Sequence, residues 1–86
     1  MVSPDQHILM LEVSGMKVIV KFHIKEVREK KGISIRQLAE LSGVSKSHIS
    51  DIEKGRRMPT VYILCVLATA MDVLPAELFS CEQISN

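Results

Sequence analysis

The sequence has little that is grouped for catalysis. His7, His23 and His48 are scattered, and the chain offers no Ser/His/Asp grouping, paired carboxylates or phosphate loop, so an enzyme is not expected. Cysteine is scarce as well. Cys65 and Cys81 lack metal-site spacing and a catalytic partner cluster, which predicts neither a bound metal nor a cofactor. Cys65 is expected as a core thiol on a helix, and Cys81 in a C-terminal tail. Long apolar runs are missing too: residues 8–13 and 61–71 are too short to span a bilayer. No charged start with a cleavage pattern marks a signal peptide. At 86 residues there is material for one small core and not for two.

Net charge is also small, a formal +1, but it is segregated along the chain. All eleven Lys and Arg residues fall between Lys17 and Arg57, against five acids there (Glu26, Glu29, Glu40, Asp51 and Glu53), a surplus of six. Asp5, Glu12, Asp72, Glu77 and Glu82 lie outside that stretch. Alone, such a cluster reads as a solvated face. Joined to a suitable recognition surface, it reads as a side that faces phosphates.

Residues 34–59 supply a candidate surface. Ser34 can cap a helix, and Gln37 three residues later can reach back to complete a capping box. Ile35, Leu38 and Ala39 then line one face, and Ala39 is small enough to admit a second helix. Gly43 ends the run, because glycine accepts the left-handed conformation that stops a helix and turns the chain. Ser45 caps the next helix, where Ile49 and Ile52 point inward. At about 100° per residue that leaves Ser47, Ser50, Asp51 and Lys54 outward, with Lys46 beside them. Most polar helix faces are simply solvated, but those more often carry Glu and Lys pairs. Here short neutral hydroxyls would let the helix approach base edges, and Lys46 could reach a guanine edge or a phosphate.

These residues resemble the lambda-repressor/Cro-like (Xre-type) helix-turn-helix family. The resemblance covers residues 24–79 and rests on a combination: Arg28 and Gly32, Leu38-Ala39, Gly43-Val44-Ser45, Ile49, Ile52-Glu53, Gly55, Pro59, Ala68, Val73 and Leu78-Phe79. It implies a mainly α fold, a five-helix lambda-repressor-like DNA-binding domain, here with an N-terminal β-hairpin or strand. It also implies an internal salt bridge between Arg28 and Glu53, base reading by Lys46, Ser47, Ser50 and Asp51, and phosphate contacts from Arg36, Lys54, Arg56 and Arg57. Gln37 and His48 join the phosphate set as flanking candidates. One departure is Ile35, where many members carry a Gln that touches a phosphate. Asp51 could accept from cytosine, act as a negative selector or be a solvated charge.

Beyond the motif, helix one is expected over residues 24–31 and helix four from a Thr60 cap to Met71, with a short fifth helix over 75–79. Val61, Leu64, Ala68 and Met71 form the inward stripe of helix four. Tyr62, Ile63, Val66 and Ala70 lie on its other side, so something should cover them. Residues 1–22 read as a hairpin about Ser14-Gly15, pairing Glu12 with Lys17 and placing Leu9, Leu11, Val18 and Val20 on one apolar face. The competing reading is a leader before a single strand, since codons for residues 11–14 can contain a GGAGGTGA ribosome-binding sequence ahead of Met16. Residues 23–80 form the helix-turn-helix domain and 81–86 a tail.

The functional expectation is a sequence-specific regulator of transcription, a cytoplasmic repressor that binds double-stranded DNA as a homodimer on a palindromic operator. Leu9, Leu11, Val18, Val20, Tyr62 and Val66 are the dimer candidates. The alternatives are an antitoxin-like regulator that binds a toxin and its own promoter, and a protein-interaction adaptor that has kept the fold. No membrane association is expected.

Overall fold

The computed structural model describes residues 7–85, with side chains from Met10 to Ser85. Two strands, β1 (His7–Val13) and β2 (Met16–Phe22), lead into four helices: α1 (Ile24–Lys30), α2 (Ile35–Ser42), α3 (Lys46–Glu53) and α4 (Val61–Met71). A 3-10 turn, Pro75–Leu78, and a last strand, β3 (Phe79–Ser85), complete the chain.

The strands form one antiparallel sheet in the order β1-β2-β3. Ser14 (φ 49°) and Gly15 (φ 78°) make the β1–β2 turn, both in the left-handed region that a tight hairpin requires. The hairpin forms with Glu12 opposite Lys17 and Leu11 opposite Val18. Leu9 pairs with Val20 in that register, and its side chain lies outside the described residues.

Two sequence expectations fail at the C-terminus. The fifth helix over 75–79 is replaced by the four-residue 3-10 turn, because Phe79 is already extended (φ −153°, ψ 160°) and pairs with Phe22. Residues 81–85, expected in a tail, continue β3, which runs beside β2 from Phe79 to Ser85. β2 is therefore the central strand.

The helices enclose the core. Leu38, Ile49, Leu67, Met71 and Leu78 are fully buried, with Ile24, Val44, Ile52, Leu64 and Ala68 around them. Phe22, Val27, Ile33, Ile63, Val66 and Ala70 pack against this centre. Helix α4 keeps its expected inward stripe at Leu64, Ala68 and Met71 and departs from it elsewhere. Leu67 points inward, whereas Val61 is 77% exposed and Cys65, expected as a core thiol, is exposed. Cys65 sits roughly 100° around the helix from Leu64, off the stripe formed by residues 64, 67, 68 and 71. Ile63, Val66 and Ala70 are partly covered by the protein itself. Tyr62 remains 74% exposed.

Candidate nucleic-acid interface

Local chemistry sets the geometry of α2 and α3. Ser34 Oγ accepts from Gln37 N at 3.0 Å, and Ser34 N donates to Gln37 Oε1 at 2.8 Å, a complete capping box that satisfies exposed donors at the helix start. The cap engages the carbonyl oxygen of Gln37, so this side chain can offer only its amide N–H groups to an outside acceptor. At the other end Gly43 is left-handed (φ 76°), with its N–H bonded to Ala39 O at 2.9 Å. Ser45 Oγ then accepts from His48 N at 3.1 Å to start α3. Val44, between the two helices, is buried.

An ion pair behind α3 fixes it to the body of the domain. Arg28 Nε donates to Glu53 Oε2 at 2.8 Å and Nη2 to Oε1 at 3.0 Å, while Nη1 donates to Ile33 O at 2.9 Å. Both side chains are about nine-tenths or more buried. The hydrogen bond to Glu53 raises the Arg28 pKa above its ordinary value; burial opposes this, and the charges of Glu53 and Glu29 add to it. One guanidinium thus joins α1, the loop at Ile33 and the end of α3. Its two-pronged geometry is one that only arginine provides.

The opposite side of α3 is open. Lys46 and Ser47 are exposed at its N-terminal end, and His48, Ser50 and Asp51 are half-buried along its flank. Beyond the helix, Lys54, Arg56 and Arg57 are exposed on a turn folded back over Asp51, whose carbonyl accepts from Arg56 N at 2.8 Å and Arg57 N at 3.2 Å. Arg56 Nη1 also lies 3.8 Å from Asp51 Oδ1. Asp51 therefore organises the basic turn, a contact that the sequence reading missed. The glycine after Lys54 was the signal for a return of the chain. Arg36, exposed on α2, lies 3.3 Å from Glu40. The remaining candidates belong to other elements: Leu11, Val18 and Val20 to the sheet, Tyr62 and Val66 to α4.

No helix among the described residues is long and apolar enough to cross a membrane. No group of three or more His, Cys, Asp or Glu among them could hold a metal ion.

A model of the helix-turn-helix family matches residues 24–78. The HTH-type transcriptional regulator SlrR of Bacillus subtilis is 45% identical over 60 residues, 69% of this chain and 40% of its own length. The control protein C.SmaI of Serratia marcescens is 28% identical over 83 residues, 96% of this chain and 95% of its own. The crystal structure of the restriction-modification controller protein C.AhdI from Aeromonas hydrophila superposes with a TM-score of 0.62 at 38% identity, covering 64% of this chain and 83% of that one. This chain spans about two fifths of the length of the first curated relatives it matches. With the capped α2–turn–α3 pair and the matched residues in register, the chain belongs to the lambda-repressor/Cro-like (Xre-type) helix-turn-helix family.

Proposed function

We propose that this chain is a sequence-specific DNA-binding regulator of transcription, a cytoplasmic repressor that acts as a homodimer on a two-fold symmetric operator. The observation that carries the reading is α3 itself, clamped from behind by Arg28 and Glu53 and open in front at Lys46 and Ser47. A helix held this way can enter a major groove as a rigid body. Lys46, Ser47 and Ser50 read base edges, and Asp51 both selects and shapes the turn behind them. Arg36, Lys54, Arg56 and Arg57 hold phosphates, with Gln37 and His48 at the margins. C.SmaI, named a control protein, aligns with nearly the whole chain, which supports a regulatory role.

Selection of bound sequences from random DNA, followed by a salt titration on the selected site, tests the reading. A symmetric consensus and an affinity that falls steeply with salt are expected. Absence of DNA affinity at low salt would overturn the reading in favour of a protein-interaction adaptor.

A further inference from the structure

Two of the arginines proposed to hold phosphates are paired with carboxylates of their own chain. Arg36 Nε lies 3.3 Å from Glu40 Oε1, and Arg56 Nη1 lies 3.8 Å from Asp51 Oδ1. The two acids differ in where they stand. Glu40 follows Arg36 by one turn on α2 and is exposed. Asp51 follows Ser47 by one turn on α3, so helical spacing puts its half-buried side chain on the same face as the exposed front of that helix. The return of the chain fixes the second pair. Gly55 is left-handed (φ 76°), and Arg56 N and Arg57 N both donate to the Asp51 carbonyl, at 2.8 and 3.2 Å. Backbone bonds thus bring Arg56 back over Asp51, and the carboxylate can be altered without removing them.

We infer that Asp51 is a specificity-determining residue that acts through exclusion: a duplex that draws Arg56 onto a phosphate leaves the Asp51 carboxylate unpaired in the groove, and a cytosine amino group is what satisfies it there. This deepens the DNA reading above and rests on it. An exposed pair 3.8 Å apart is weak, so a phosphate displaces it readily. Discrimination comes from what the carboxylate meets afterwards. Among phosphates it is repelled, and without a donor it loses the hydrogen bonds that water gave it. Cytosine N4 is the base-edge donor suited to an acidic side chain, whereas guanine turns two acceptors toward the major groove and adenine sets its N7 acceptor beside its amino group. Non-specific binding rests on phosphate contacts, so it meets the repulsion without the compensating bond. Asp51 therefore lowers affinity for unrelated DNA more than affinity for the chosen site. Glu40, on another helix, lowers affinity for every duplex alike.

Site selection from random DNA and competition binding against unrelated duplex test this on the full chain. Asp51→Asn keeps the shape of the side chain and removes its charge. It should bind unrelated duplex about fivefold more tightly and lower the ratio of selected-site to unrelated-DNA affinity about tenfold. Its selected sites should exchange one cytosine of each half-site for adenine, whose N6 and N7 an Asn amide meets together. Asp51→Ala should tighten binding to unrelated duplex similarly and lose base preference at that position altogether. Glu40→Gln should tighten binding to both kinds of DNA and leave the ratio and the selected bases unchanged. Asp51 variants that keep the parent's bases and the parent's ratio overturn the inference. So does a Glu40→Gln protein that lowers the ratio as far as Asp51→Asn does, since the effect is then one of net charge. Both results leave the DNA reading in place. A parent without DNA affinity at low salt is a different outcome, which removes the DNA reading and the inference with it.

Discussion

At the scale of single residues, the proposed interface divides side chains expected to choose a sequence from those expected to hold any sequence. Lys46 and Ser47 are exposed at the front of α3. Replacing either by Ala should change preference among operator variants by about 1–3 kcal/mol at the affected base pair. Arg56→Ala should instead weaken all sequences alike and lower the salt slope by about 1; competition binding at several salt concentrations distinguishes the two patterns. Behind the helix the outcome is one of stability. Glu53→Gln removes a charge from a pair about nine-tenths buried and leaves Arg28 uncompensated, a loss of roughly 3–5 kcal/mol for breaking such a pair, measurable by urea unfolding. The raised pKa of Arg28 means that its contribution is fully present below the unfolded value and is lost only as pH climbs through the folded one. Since both lie at extreme alkalinity, unfolding curves between neutral pH and mild alkali should show no loss from this pair.

Elements differ in how far they can be read from sequence, and the difference follows the range of the interactions that make them. The helix-turn-helix is local: Ser34, Gln37, Gly43 and Ser45 each act within a few residues, so their identities announce the caps and the turn. The β1–β2 hairpin is similar, because Ser14-Gly15 and the Glu12–Lys17 pair lie side by side in the chain. Strand β3 is not local. Its partner β2 lies about 60 positions earlier, and its alternation is too weak to outweigh a proline that suggests another helix turn. The departures in α4 were hidden for a related reason: Val61, Tyr62, Cys65 and Leu67 are all apolar enough to point inward, and only packing selects Leu67. The local devices also carry measurable stability. Ser34→Ala should cost about 1 kcal/mol through loss of the cap. Gly43→Ala should cost a similar amount, about 1 kcal/mol, from left-handed strain alone, since a Cβ there meets nothing within 4 Å. Thermal unfolding of each variant against the parent checks both.

On the scale of the whole molecule, charge and shape point in different directions. The basic residues all lie between Lys17 and Arg57, and the residues outside that stretch are net acidic. The body is elongated, 43 Å by 23 Å by 20 Å. On the proposed reading one copy presents a single α3 to DNA, and one short helix reads too few base pairs to pick out a site in a genome. Pairing two copies about a two-fold axis multiplies the readout only if the two helices meet successive major grooves on the same side of the duplex, about 34 Å or one helical turn apart. Operator geometry is therefore a sharper test than affinity alone. Adding about 5 base pairs between half-sites rotates one of them to the far side of the DNA and should reduce binding to that of an isolated half-site, whereas adding about 10 restores the facing with a larger gap. A rigid dimer loses affinity in both cases and most at the half turn. Equal binding at every spacing, measured by gel shift on one family of synthetic duplexes, would mean that the two copies engage DNA independently.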